Sequence, residues 1–98
     1  MIRIELPYHL RHLAGVPGEV SLTIQGSITT ASILDALEQR YPVLRGTIRE
    51  YGNKRRRPFL RFFACGQDIS HIDSSSLLPE QIADGTEPFT IVGAIAGG

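Results

Sequence analysis

The stretch Val20-Ser21-Leu22-Thr23-Ile24-Gln25-Gly26-Ser27-Ile28-Thr29-Thr30-Ala31-Ser32-Ile33-Leu34-Asp35-Ala36-Leu37-Glu38-Gln39-Arg40-Tyr41-Pro42 changes its hydrophobic period halfway along. Before Gly26, Val20, Leu22 and Ile24 alternate with Ser21 and Thr23, the two-residue period of a strand with one buried face. After Gly26, Ile33, Leu34, Leu37 and Tyr41 recur at helical spacing, with Asp35, Glu38, Gln39 and Arg40 on the other face. Thr29 is the expected N-cap, because its hydroxyl can accept from a free amide of the first turn. Pro42 disfavours helical geometry at Tyr41 and closes the helix there.

Upstream, Ile2, Ile4 and Leu6 alternate with Arg3 and Glu5, giving a first strand that Pro7 ends. Residues 7–18 hold Pro7, Gly15, Pro17 and Gly18 and read as a loop, pinned to the body by Leu10, Leu13 and Val16. Two strands joined this way form an antiparallel hairpin. Beyond the helix a shorter amphipathic piece is expected, with Val43, Leu44 and Ile48 inward, Arg45, Arg49 and Glu50 outward, and Gly52-Asn53 at its end. Lys54-Arg55-Arg56-Arg57 follows. It has no interleaved aromatics, and ten basic residues cancel ten acidic ones, so a nucleic-acid patch is disfavoured. A solvated loop and an electrostatic docking patch for an acidic partner both stay open.

Pro58-Phe59-Leu60-Arg61-Phe62-Phe63-Ala64-Cys65 is strand-like. Arg61 belongs in water, which assigns Leu60, Phe62 and Ala64 to the core and Phe63, with Phe59, to the outer face. Exposed aromatics on a sheet make that face a candidate binding surface. Gly66-Gln67-Asp68 is read as a tight turn before a short strand around Ile69. Residues 70–88 look polar and irregular, anchored by Leu77, Leu78 and Ile82, with a turn at Asp84-Gly85. A last strand over residues 89–92 runs into a tail, residues 93–98, that closes on Gly97-Gly98.

Ninety-eight residues make one small domain, residues 1–98. Zero net charge offers no field for nucleic acid or a membrane surface. The single cysteine, Cys65, excludes an intrachain disulfide framework, and no apolar run is long enough to span a bilayer. The start interleaves charges with apolar residues, unlike a signal peptide, so a cytoplasmic location is expected. His71, Asp73 and Ser74-Ser75-Ser76 have the residue types of a hydrolytic triad, but neighbours in one loop rarely hold its geometry. His9 and His12 lack a nearby cluster to complete a metal site, and Cys65 near a strand end reads as a packed thiol. No catalytic or metal-binding residue is therefore assigned.

The tail Ile91-Val92-Gly93-Ala94-Ile95-Ala96-Gly97-Gly98 admits two readings. One is a frayed terminus. In the other the Gly98 carboxylate is itself reactive, on an arm that lacks bulk and can thread a narrow channel. The order strand, strand, helix, strand, short strand, strand gives an α+β layer, a mixed sheet of four to five strands with one main helix on one face.

With that order, the chain resembles the ubiquitin-like β-grasp sulfur carriers of the MoaD/ThiS type. The resemblance rests on Ala96-Gly97-Gly98, on Ala83-Asp84-Gly85 before the last strand, and on the helix motif of residues 34–42. It rests also on the strand and turn of residues 59–69, and on Leu6-Pro7-Tyr8-His9-Leu10-Arg11, which is most similar to the cysteine-biosynthesis carrier. The resemblance implies that a ubiquitin-activating-type enzyme adenylates Gly98 with ATP and Mg²⁺, and that a persulfide donor converts it to a thiocarboxylate. A sulfur-acceptor enzyme then takes the sulfur. Ala96 and Gly97 would serve tail threading, and Phe63, Val92 and Ile95 partner docking; the chain would bind no cofactor, nucleic acid or membrane and would be no enzyme. Cysteine, molybdopterin, thiamine and tRNA-thiolation pathways share this chemistry. Alternatives are a modifier joined to lysines, the small subunit of molybdopterin synthase, and a β-grasp interaction module with an idle tail. Three departures from the family pattern stand out: Cys65 where Asn is usual, Gly93 where proline often stiffens the tail, and an added residue at Pro88-Phe89.

Overall fold

The architecture is built around the helix α2 (Thr30–Arg40), and its capping shows why it starts where it does. Thr29 Oγ1 accepts from the Ser32 amide at 3.0 Å, and Ser32 Oγ accepts from the Thr29 amide at 2.9 Å. This reciprocal capping box satisfies two amides that a helix start otherwise leaves free. Ile33, Leu34 and Leu37 form its buried stripe. The coordinates come from a computed structural model, which describes residues 1–93; residues 94–98 lie outside the described part.

The stripe packs on a five-stranded mixed sheet made of β1 (Ile2–Glu5), β2 (Val20–Leu22), β3 (Leu60–Ala64), β4 (Gln67–Asp68) and β5 (Phe89–Gly93), in the order β2-β1-β5-β3-β4. The β1/β2 hairpin is antiparallel with Ile2 opposite Leu22. The terminal strand β5 runs parallel to β1 and antiparallel to β3. Strand alternation then sorts the faces. Ile2, Ile4, Leu60, Phe62, Ala64, Phe89 and Ile91 are buried in the core, and the Phe62 and Phe89 rings lie 5.6 Å apart within it.

Several expectations are corrected. Residues 7–18 are not all loop: α1 (Tyr8–Ala14) occupies most of them, with Leu10 buried, Leu13 exposed and Val16 partly buried against the core. Pro7 precedes the helix and Gly15, at φ 73°, closes it in the left-handed conformation, so these residues bracket a helix. The turn after β3 is Cys65-Gly66, both at positive φ (51° and 78°), which leaves the Cys65 thiol exposed rather than packed, and Gln67 and Asp68 already belong to β4. Leu77 is exposed, and a single-turn helix α3 (Glu80–Ala83) carries the buried Ile82.

The segment after α2 differs most. Only Pro42–Leu44 is helical, as a 3₁₀ turn, and residues 45–57 then form an excursion with a hairpin-like arm in which Arg49 bridges to Arg56. Val43 is exposed and Arg49 is buried, the reverse of the helical expectation. The burial is possible because Arg49 Nε donates to Glu38 Oε2 at 2.8 Å while its Nη2 reaches Glu38 Oε1 and Asp35 Oδ1. A buried guanidinium is tolerated when carboxylates neutralise it, and the polar face of α2 supplies both. The basic run splits likewise. Arg56 Nη1 donates to the Leu60 carbonyl at 2.7 Å and Arg57 Nε to that of Gly46 at 2.9 Å, so these two side chains brace the excursion.

Two outcomes test this description. Cys65 has the left-handed backbone that Asn tolerates better, so Cys65→Asn should stabilise the fold by about 1 kcal/mol and raise the thermal midpoint by about 5 °C. The Arg49 hydrogen bond, against a smaller desolvation cost, holds the Asp35 carboxyl below its usual range, with help from the Arg49 and Lys54 charges. That depressed native pKa contributes stability fully above the unfolded value and loses it as pH falls through the native one. Asp35→Asn should therefore flatten the decline of the melting midpoint below about pH 4, followed by circular dichroism.

Candidate functional site

Gly98, with Gly97, Ala96 and Ile95, lies outside the described residues, so the structure describes the site only up to its root. The root is the end of β5. Hydrogen-bonded strands flank β5 on both sides, and Gly93, assigned from sequence to the tail, is its last residue, opposite Leu60. Because β1 is parallel to β5, the chain leaves β1 at the same end and turns there into α1. His9, in the first turn of α1, therefore lies over Gly93: a Cβ on Gly93 would fall 3.0 Å from His9 Cε1 and 3.6 Å from Pro7 Cβ. Absence of a side chain at 93 is what lets the imidazole close on the backbone.

On the outer face of the sheet, Val92 is opposite Arg61 and Phe63 is opposite Thr90, which places Val92 and Phe63 diagonally on neighbouring strands. Val92 is 39 % exposed and Phe63 half-buried. Polar pairs frame them. The Thr90 hydroxyl donates to Glu5 Oε1 at 2.9 Å, and Arg61 Nη1 lies 3.5 Å from Asp68 Oδ2 and 3.3 Å from His71 Nε2. Further along, Arg3 grips Glu19 through two nitrogens at 2.9 and 3.1 Å, which holds the Glu19 carboxyl below its usual range. The result is a small apolar patch within a polar sheet face, on the strand that leads to the tail.

The expected residues are thus only partly brought together. Phe63 and Val92 share the outer face; Ile95 lies outside the described residues. Sequence reasoning missed His9 at the root, because the helix that carries it was read as loop. The signal was present in the proline ahead of residues 8–14 and the glycine behind them. The other clusters do not assemble. Ser75 Oγ donates to Asp73 Oδ1 at 2.6 Å while His71 faces Arg61, so serine, histidine and aspartate do not form a relay. His12 stacks on Tyr8, away from the contact His9 makes. Among the described residues no group of three or more His, Cys, Asp or Glu is placed to hold a metal, and no helix is long and apolar enough to cross a membrane.

No protein-family model matches the chain, and no curated protein matches it. Solved structures do. The crystal structure of SAMP1 from Haloferax volcanii superposes with a TM-score of 0.75 at 16% identity, over 99% of this chain and 98% of that one. CysO in the crystal structure of the Amycolatopsis orientalis BexX/CysO complex gives 0.75 at 19% identity, covering 100% of both chains. A second structure from H. volcanii, described as small archaeal modifier protein 1, gives 0.70 at 15% identity over 96% and 97%. At these identities the likeness establishes the fold: the chain is a ubiquitin-like β-grasp domain, built as SAMP1 and CysO are built.

Proposed function

We propose that this chain is a sulfur carrier whose Gly98 carboxylate is activated by a partner enzyme and converted to a thiocarboxylate. The observation that carries the reading is the position of β5: the strand that leads to Gly97-Gly98 is the central one, so the tail departs from the most restrained part of the sheet. Whole-length likeness to CysO, crystallised in a complex with BexX, and to SAMP1 supports it.

The chemistry follows from what a carboxylate lacks. Its charge is delocalised and it carries no leaving group, so sulfur cannot displace an oxygen directly. A carboxylate oxygen attacks the α-phosphorus of ATP in the partner's Mg²⁺-bearing site and releases pyrophosphate. The terminal sulfur of a persulfide then attacks the acyl carbon and expels AMP, leaving an acyl disulfide. A thiol cleaves that S–S bond, forms a new disulfide with the donor sulfur and leaves the thiocarboxylate on Gly98. Ala96 and Gly97 keep the arm slim enough for the channel. The folded body acts as a handle that raises the effective concentration of the tail at the sites of the activating and acceptor enzymes. Phe63 and Val92, with Ile95, form the docking patch for these partners, since apolar groups framed by polar pairs suit a transient interface. Location in the cytoplasm suits such exchange among soluble enzymes.

A modifier reading shares the first step and replaces sulfur by a lysine amine. It is kept because one structural neighbour is called a modifier protein.

The test is incubation with the ubiquitin-activating-type enzyme of the same genome, ATP, Mg²⁺ and a persulfide donor, read by intact mass. Wild type should exchange one oxygen for one sulfur in its C-terminal peptide. Removal of Gly98, or Gly98→Ala, should abolish loading while the thermal midpoint stays unchanged. Loading retained in these variants overturns the proposal, and lysine conjugates in place of sulfur gain turn it toward the modifier.

A further inference from the structure

The end of the sheet where β5 hands over to residues 94–98 bears a mostly apolar groove lined by His9, Thr47, Arg57, Pro58, Phe59 and Leu60. Two of its walls are also walls of the tail root: Leu60 is the partner of Gly93 in the sheet, and His9 lies against Gly93. Phe59 stands at the groove 65 % exposed, although it directly precedes the buried Leu60. Arg57 uses Nε on the Gly46 carbonyl, and its two terminal nitrogens have no partner among the described residues. Arg57 therefore gives the apolar groove a cationic edge.

We propose that this groove is a second docking surface, gripped by the activating enzyme that receives residue 98, which seats an apolar side chain against Phe59 and presents a carboxylate to Arg57. The inference rests on the carrier reading above, and it concerns a different surface from the Phe63–Val92 patch. The tether bounds the location. Gly98 lies five residues beyond Gly93, and a fully extended chain of that length spans at most about 18 Å. An enzyme that encloses residue 98 brings the mouth of its channel within that reach of the Leu60–Gly93 pair. The groove, which shares Leu60 with that pair, lies within the same reach. The charge argues for the same occupant, because the Arg57 guanidinium at the groove favours an acidic rim and disfavours a basic one. The excursion of residues 45–57, braced by Arg49, Arg56 and Arg57 through their internal hydrogen bonds, holds the groove in place.

The experiment is ATP–pyrophosphate exchange by the ubiquitin-activating-type enzyme of the same genome, measured against concentration of the full chain. Phe59→Ala should raise KM for the chain roughly ten-fold with kcat little changed, as for loss of an aromatic anchor. Leu77→Ala, at a still more exposed apolar residue outside the groove, should leave KM within two-fold, on the order of the scatter expected for near-neutral positions. Added salt should raise the wild-type KM, and Arg57→Gln, which removes the charge but keeps an N–H donor for the Gly46 carbonyl, should remove most of that response. Exchange with the wild-type chain and an unchanged KM for Phe59→Ala overturn this inference and leave the carrier reading standing. No exchange with the wild-type chain overturns both. A wild-type dimer in sedimentation that Phe59→Ala disperses would assign the groove to a second copy and overturn it as well.

Discussion

The position of β5 is the constraint on which the rest of the structure depends. Among the described residues the β1/β2 hairpin and the β3/β4 hairpin do not touch edge to edge, and β5, between them, joins the two halves of the sheet. Its inward residues Phe89 and Ile91 are buried in the same core as Ile4, Phe62 and the apolar stripe of α2. A strand from the far end of the chain thus completes both the sheet and the core. Parallel pairing of β1 with β5 needs a long crossover, and nearly the whole sequence serves as that crossover. Such a strand is hard to move once formed, because displacement would break hydrogen bonds on both edges and open the core at once. A tail leaving from it starts from a fixed point.

The rest of the chain is arranged about that fixed point. The first helix begins where β1 ends, at the same end as the last residue of β5, and so brings His9 onto Gly93. The excursion of residues 45–57 returns the chain to the start of β3, opposite Gly93, and delivers Phe59 beside it. Arg49 makes this return possible. Its guanidinium, buried yet paired with Glu38 and Asp35, ties the excursion to α2 without a second apolar helix. In a domain this small, a paired charge substitutes for core that the sequence does not have.

Much of this was legible in the sequence, for local reasons. The alternation at Val20 and Leu22, the capping residue Thr29, the stripe Ile33-Leu34-Leu37 and the inward set Leu60, Phe62 and Ala64 each depend on neighbours within a few residues. The misreadings have a common origin. Pro7 and Gly15 punctuate a helix as readily as a loop, and the difference lies in the burial of Leu10, which is a tertiary fact. Arg49 was placed in water because no local pattern shows that two carboxylates of α2 await it. The same holds for the site. Gly98 could be singled out by its chemistry and Phe63 by its face, whereas the groove joins His9, Thr47 and Phe59 from three separated segments and exists only in the fold.

The central claim is that residue 98 carries sulfur as a thiocarboxylate, and the most direct measurement is made on the chain isolated from its own cells. Rapid treatment with an alkylating agent, followed by mass mapping, distinguishes the two sulfur positions available. The account predicts alkyl adducts both on the exposed Cys65 thiol and on the peptide ending in Gly98, where oxygen has been replaced by sulfur. Alkylation confined to Cys65, with Gly98 present only as a carboxylate under every condition of sulfur supply, would contradict it.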